Sequence, residues 1–106
     1  MKVAAIDQGT TSTRVLVLNA AGGLDPVLSL HHGQRYPAPG HVEQDGEELL
    51  SNIQACLKAA APDVVGLANQ GESCLAWDAK TREPLSPVIT WQDNRTRHVT
   101  DAMAAD

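Results

Sequence analysis

One short segment near the start of the chain has the residue types and order that suit phosphate binding. It lies between two apolar runs and reads Asp7-Gln8-Gly9-Thr10-Thr11-Ser12-Thr13-Arg14. A glycine lets the backbone turn with N–H groups pointing outward, and the hydroxyl groups of Thr10, Thr11 and Ser12 add donors for phosphate oxygens. Asp7 can hold a hydrated Mg2+ against the same phosphates, and Arg14 can meet charge that develops in a transition state.

The segment by itself leaves two interpretations open. It is not a P-loop, because the Gly-Lys-Ser/Thr ending is absent and the residues that follow have a strand pattern instead of a helical one. An ordinary hairpin loop is also polar and rich in glycine, so a plain turn explains the composition as well as a phosphate site does.

The apolar periodicity predicts the elements that position this segment. Residues 3–6 and 13–18 have the pattern of a β-hairpin, and residues 27–36 continue it as a third strand of a meander. His31 and His32 then point to opposite faces, which makes metal chelation by this pair a poor interpretation.

Because Asp45 precedes Glu48 by three residues, we expect a capping box and a helix over about 46–60. Its apolar stripe consists of Leu49, Ile53, Leu57 and Ala60, flanked by Leu50 and Cys56.

The second half of the chain predicts a further strand and a hairpin. Residues 64–68 form a compact apolar run typical of a buried strand, and a polar cluster follows in Asn69-Gln70-Gly71-Glu72. Residues 74–77 and 88–91 indicate two short strands joined by a turn. Residues 93–96 are expected to cap a second helix and to form ion pairs. We expect Cys56, Cys74 and Trp77 to be core residues.

Composition restricts the classes of partner. The 106 residues include 8 basic and 13 acidic side chains, a net charge of −5, which argues against nucleic acid and against an anionic membrane surface. The chain also has no apolar segment approaching the ~18 residues of a membrane span and no leader-like start, so the cytoplasm is the expected compartment. A small soluble molecule is the expected partner.

Five segments in order resemble the FGGY family of carbohydrate kinases, especially its glycerol kinase-like members. They cover most of the sequence from residue 3 to about residue 97, which makes a chance match of order and spacing a poor explanation. The matching segments are residues 5–14, Gly40-His41-Val42-Glu43-Gln44-Asp45, Gly66-Leu67-Ala68-Asn69-Gln70-Gly71-Glu72, Trp77-Asp78 with Thr81 and Pro84-Leu85, and residues 88–96.

The resemblance implies an α/β, ribonuclease H-like (actin-like ATPase) fold whose mixed sheet contains an antiparallel meander. Residues 1–106 would be the N-terminal portion of the first of two domains, and ATP with Mg2+ would lie in the cleft between them. The implied reaction is phosphorylation of a hydroxyl of a sugar or polyol. The implied roles are metal binding and catalysis for Asp7, catalysis for Arg14, phosphate binding for Gly9, Thr10, Thr11 and Ser12, and substrate binding for Gly71, Glu72 and Trp91.

Two of the substrate-side residues have alternative interpretations, and a third departs from the family pattern. Glu72 can instead be an exposed loop carboxylate, and Trp91 can be a core residue. Glycerol kinases carry an arginine where this chain has Gly71, so a different or larger polyol or sugar is the hypothesis.

The family's catalytic base and the second phosphate loop lie in later regions, so we expect residues 1–106 alone to be inactive. The alternatives are a non-catalytic nucleotide- or phosphate-binding module, and a homo-oligomer in which the unfinished sheet pairs with another copy.

Overall fold

The computed structural model describes residues 1–105, and its largest element is a four-stranded sheet in the order β3-β2-β1-β5. The elements in chain order are β1 (Val3–Gln8), β2 (Ser12–Leu18), β3 (Leu24–His31), β4 (Glu43–Gln44), α1 (Gly46–Ala60), β5 (Val64–Ala68), β6 (Val88–Ile89) and α2 (Arg97–Ala104). β1, β2 and β3 form an antiparallel meander, and β5 pairs in parallel with β1. The predicted mixed sheet with a meander is therefore confirmed.

The helix α1 has the predicted bounds, but its N-terminal cap is only half of a capping box. Asp45 accepts the N–H of Glu47 at 2.9 Å, which satisfies one of the free donors of the first turn. Glu48 does not bond back to Asp45 and instead accepts the N–H of Gly33 at 2.7 Å. Its carboxylate thus ties the segment after β3 to the start of α1, a contact that local sequence rules do not anticipate.

The core lies between the sheet and α1 and is built from small aliphatic side chains. Ala4 and Ile6 from β1, Val15 from β2, and Cys56 and Ala60 from α1 form the buried cluster. Alternation along β1 and β2 directs these strand residues toward the helix, and burial raises the pKa of the Cys56 thiol. The predicted core role of Cys56 is confirmed.

Several burial predictions for the second half are wrong. All five residues of β5 are exposed although the strand forms where expected, because α1 packs on β1, β2 and β3. Cys74 is exposed, and Trp77 is 56% exposed. An apolar run predicts a strand but does not say whether a second layer covers it.

The strand boundaries also differ from the predictions. β3 ends at His31 instead of continuing to residue 36. Of residues 74–77 and 88–91, only Val88–Ile89 is a strand, and it pairs with β4, whereas Cys74 and Trp77 form isolated bridges with Ile89 and Pro84. No helix within residues 1–105 combines the length and the hydropathy needed to cross a membrane.

Candidate functional site

The turn between β1 and β2 is a tight hairpin closed from within. The N–H of Gly9 donates to the carbonyl of Ser12 at 2.8 Å, so this N–H closes the turn and is not one of its outward-pointing donors. A Cβ at position 9 would lie 3.3 Å from that Ser12 oxygen, which explains the glycine by close approach of backbone. The N–H groups of Thr10 and Thr11 have no acceptor among the residues that the structure describes.

The carbonyl of Thr10 is held from the inside of the protein. It accepts hydrogen bonds from His32 Nε2 at 2.8 Å and Gln44 Nε2 at 2.9 Å, and a longer one from Gln34 Nε2 at 3.4 Å. Since a carbonyl can only accept, the tautomer of His32 that fits carries its proton on Nε2. In a trans peptide the carbonyl and the following N–H point in opposite directions. Holding this carbonyl inward therefore turns the N–H of Thr11 outward.

The preceding peptide is arranged in the same way. Gln8 Nε2 donates to the carbonyl of Gly9 at 3.0 Å, which turns the N–H of Thr10 outward. Two consecutive free N–H groups thus face away from the protein body, next to the hydroxyl-bearing residues Thr10, Thr11 and Ser12. Successive free N–H groups of this kind form a concave site for an anion such as phosphate.

Asp7 and Arg14 lie side by side on the sheet face opposite α1. They are partners in the β1–β2 register, and Arg14 Nη2 donates to Asp7 Oδ2 at 3.3 Å. The side chains are 48% and 54% exposed, so both remain accessible to solvent. No cluster of three or more metal-ligating side chains occurs within the described residues. A single carboxylate still fits Mg2+, because that ion takes most of its ligands from water and phosphate oxygens.

An open pocket of about 400 Å³ adjoins the turn and is lined by Thr10, Gly71, Glu72 and Trp91. Trp91 is 50% exposed, which disfavours the core interpretation, and its Nε1 donates to Thr10 Oγ1 at 3.2 Å. The structure thus brings the three predicted substrate-side residues to the predicted phosphate turn. Glu72 is exposed, so its carboxylate can be solvated by water and its placement does not by itself require a ligand. Its backbone has a left-handed conformation with φ 64°.

An ion-pair network holds the segment that follows Trp91 in place. Arg95 donates to Asp93 at 2.7 Å and to Glu43 at 2.8 Å, and Asp93 also accepts the N–H of Val42 at 2.7 Å. The hydrogen bonds from Arg95 hold the pKa of Asp93 far below its usual range. The predicted ion pairs are confirmed, but the predicted capping is wrong, because α2 begins after Thr96 without a side-chain cap.

A buried group of three glutamines lies beneath the turn and is not among the residues predicted from the sequence. The side chains of Gln8, Gln44 and Gln70 are 6%, 1% and 9% exposed and contact one another through their amide groups. The available signal was weak: each glutamine lies at or just after the end of a short strand, where polar residues are common.

Comparison with known proteins identifies the family of the chain and agrees with the predicted fold. The family model described as the FGGY family of carbohydrate kinases, N-terminal domain, matches residues 2–106. The glycerol kinase of Saccharopolyspora erythraea is 43% identical over 113 residues, and that of Methylobacterium radiotolerans is 39% identical; each alignment covers 98% of this chain. The chain spans 23% of the length of these relatives.

Solved structures of sugar and polyol kinases share the fold of this chain. The crystal structure of Plasmodium falciparum glycerol kinase with ADP has a TM-score of 0.84 and 29% identity over 99% of this chain and 23% of that one. The xylulose kinase of Rhodospirillum rubrum has a TM-score of 0.85 at 22% identity, covering 100% of this chain and 24% of that one. The likeness confirms the predicted α/β, ribonuclease H-like (actin-like) fold. With the family model matched over residues 2–106, the chain belongs to the FGGY family of carbohydrate kinases.

Proposed function

We propose that the protein carrying these residues is an ATP-dependent kinase that phosphorylates a hydroxyl of a sugar or polyol. Residues 1–106 then form part of its first domain, with a second domain supplying the other side of the cleft. The contact between Thr10 and Trp91 carries the proposal, because it joins a turn suited to phosphate to a pocket suited to an acceptor. A related glycerol kinase, that of Plasmodium falciparum, is described with ADP, which supports the choice of nucleotide.

The turn binds the phosphates of ATP in this proposal. The outward N–H groups of Thr10 and Thr11, with the hydroxyl of Ser12, donate to phosphate oxygens, and Gly9 permits the tight turn that presents them. These donors are fixed by the hydrogen bonds beneath the turn, so little reorganisation accompanies binding. Bound ATP supplies the phosphoryl group, and Mg2+ neutralises charge on its oxygens.

Asp7 and Arg14 act at the edge of the same site. Asp7 provides the carboxylate that holds hydrated Mg2+. Arg14 is close enough to share the Asp7 carboxylate, and its guanidinium is also free to meet charge on the transferred group. In the absence of nucleotide, the ion pair keeps these opposite charges balanced on an exposed surface, where such a pair adds little stability.

The acceptor lies in the open pocket beside the turn. Glu72 accepts hydrogen bonds from acceptor hydroxyls, and the exposed face of Trp91 packs against the acceptor carbon chain. Gly71 leaves open space, since no atom lies within 4 Å of a Cβ built there. Because position 71 has no side chain to fill this space or to bind a small acceptor, the pocket favours an acceptor larger than glycerol.

Turnover of the full-length protein on a panel of acceptors tests the proposal. The panel comprises glycerol, erythritol, ribitol, xylitol, D-xylulose and D-gluconate, with ADP release followed by a coupled assay. We expect Mg2+-dependent turnover with at least one acceptor larger than glycerol. Preference for glycerol would overturn the acceptor class. ADP binding without turnover on any acceptor would favour the non-catalytic nucleotide-binding module, and residues 1–106 alone are expected to consume no ATP.

A further inference from the structure

Three buried glutamines form a continuous hydrogen-bonded group beneath the turn. Gln70 Nε2 donates to Gln44 Oε1 at 2.9 Å and to Gln8 Oε1 at 3.2 Å. Gln44 Nε2 in turn donates to the Thr10 carbonyl at 2.9 Å, and Gln8 Nε2 donates to the Gly9 carbonyl at 3.0 Å. The group therefore ends on the two carbonyls whose orientation turns the N–H groups of the turn outward.

The direction of these bonds fixes each amide in one orientation. The Thr10 carbonyl has no proton to donate, so Gln44 must present its NH2 group to that oxygen and its own carbonyl to Gln70. An amide flipped at Gln44 would place two oxygens against each other. The side chain is 1% exposed, so water does not compensate for such a flip, and the alternative is costly.

The group also reaches the acceptor side of the site. Gln70 immediately precedes Gly71 and Glu72, the residues that line the pocket beside Thr10. A displacement of the segment after β5 would therefore move Gln70. The hydrogen bonds from Gln70 to Gln44 and from Gln44 to the Thr10 carbonyl would pass that displacement to the turn. Gln70 Oε1 is buried and has no hydrogen-bond partner among the described residues, so the group is held by the donors of its amides. An apolar cluster would pack beneath the turn without fixing the orientation of the carbonyls, whereas these directed hydrogen bonds favour one arrangement.

We propose that Gln44 is a positioning residue that holds the Thr10–Thr11 peptide with its N–H toward the phosphates and, through Gln70, links the acceptor pocket to the turn. This inference rests on the proposed kinase function. Its consequence is that acceptor and nucleotide bind cooperatively, because each ligand favours the same arrangement of the group. Gln44 itself contacts neither ligand.

The substitution Gln44→Met tests the inference in the full-length protein, because methionine has a similar length and no amide. Gln54→Met is the matched control, since Gln54 lies exposed on α1. We expect Gln44→Met to lower kcat by about tenfold or more while the control does not. We also expect calorimetry to show that the best acceptor of the panel tightens ADP binding in the wild type and in Gln54→Met, but much less in Gln44→Met.

A second variant separates positioning from folding. Gln44→Glu keeps the shape and the acceptor for Gln70 but replaces the donor to Thr10, so it is expected to show the same loss of coupling. Kinetics and coupling equal to those of Gln54→Met overturn the inference, as does a fall in thermal stability with unchanged coupling in the folded protein. A wild-type protein that turns over no acceptor overturns the proposed function and this inference with it, whereas an active wild type with a silent Gln44→Met overturns only the inference.

Discussion

The indole nitrogen of Trp91 lies 3.2 Å from the hydroxyl oxygen of Thr10, although 81 positions separate the two residues in the chain. Thr10 is therefore held at two points, its carbonyl by His32 and Gln44 beneath the turn and its hydroxyl by Trp91 beside the pocket. A residue fixed in this way can transmit the position of the acceptor pocket to the phosphate turn. In the full-length protein, substitutions at these contacts are expected to change the kinetics.

Replacing Trp91 with phenylalanine keeps an aromatic face and removes the donor to Thr10. A neutral hydrogen bond contributes about 1 kcal/mol, so Trp91→Phe is expected to lower kcat/KM for the acceptor about fivefold. Trp91→Ala also removes the packing face and should raise the acceptor KM further. Steady-state kinetics measure both, with Trp77→Phe as the control because Trp77 is exposed and lies outside this pocket. Wild-type kinetics in Trp91→Ala would contradict the assignment of this face to the acceptor.

Removing the charge of Asp7 tests its proposed role at the metal. Asp7→Asn retains the size of the side chain but loses the carboxylate that pairs with Arg14. We expect kcat to fall by about 100-fold and the Mg2+ concentration for half-maximal rate to rise. The measurement is the rate as a function of free Mg2+. Asp25→Asn is the control, since Asp25 is an exposed carboxylate that accepts from Asn19 at 3.1 Å; equal Mg2+ dependence in both variants would exclude Asp7 from metal binding.

The network at Asp93 predicts a loss of stability in acid. Its pKa is held far below the usual value of about 3.9 by the hydrogen bonds from Arg95. The ionised form is favoured in the folded state, so its contribution is complete above that usual value and decreases as the pH falls toward the lowered pKa. Unfolding by denaturant between pH 7 and pH 2.5 should show a smaller acid-dependent loss in Asp93→Asn than in the wild type. An equal loss would show that Asp93 does not contribute to the acid dependence.

The local parts of the fold could be predicted from sequence. The helix α1 begins after Asp45 because a carboxylate there satisfies an N–H of the first turn, and the apolar face of the helix buries Leu49, Cys56 and Ala60. The hairpin of β1 and β2 follows from alternation. These features depend on residues within a few positions of one another, which is the range over which sequence patterns are informative.

The remaining features depend on contacts between distant segments. Glu48 bonds to Gly33 instead of completing its capping box, and Trp77 is exposed where an aromatic residue suggested core. The N–H of Gly9 points inward because the turn places the carbonyl of Ser12 within hydrogen-bonding distance of it. At the site, the types of residue were predictable, whereas the link from Gln44 to Thr10 required the sheet order and the placement of β4.

Gly40 is predicted to contribute to stability through its backbone conformation. Its φ is +80°, a region that residues with a Cβ rarely adopt, and a Cβ there would clash with Asn94 Oδ1. Gly40→Ala should lower the free energy of unfolding by about 1–3 kcal/mol. Gly33→Ala is the control, because no atom lies within 4 Å of its Cβ position and its φ is not positive. Adding Asn94→Ala to Gly40→Ala should recover only the part of the loss that arises from the clash; full recovery would mean that backbone strain is absent.

Restoring an arginine at position 71 tests the acceptor preference directly. Space for the side chain exists, since no atom lies within 4 Å of the Cβ position of Gly71 and its φ is not positive. A guanidinium beside Glu72 adds a charged donor for a small acceptor and fills room that a larger one needs. Gly71→Arg should therefore raise the ratio of kcat/KM for glycerol to that for the preferred larger acceptor by about tenfold, which corresponds to one hydrogen bond to a charged group. Gly33→Arg adds the same side chain at a remote open position and should leave the ratio unchanged. If the ratio stays constant in Gly71→Arg as well, the residue at position 71 does not determine which acceptor the protein uses.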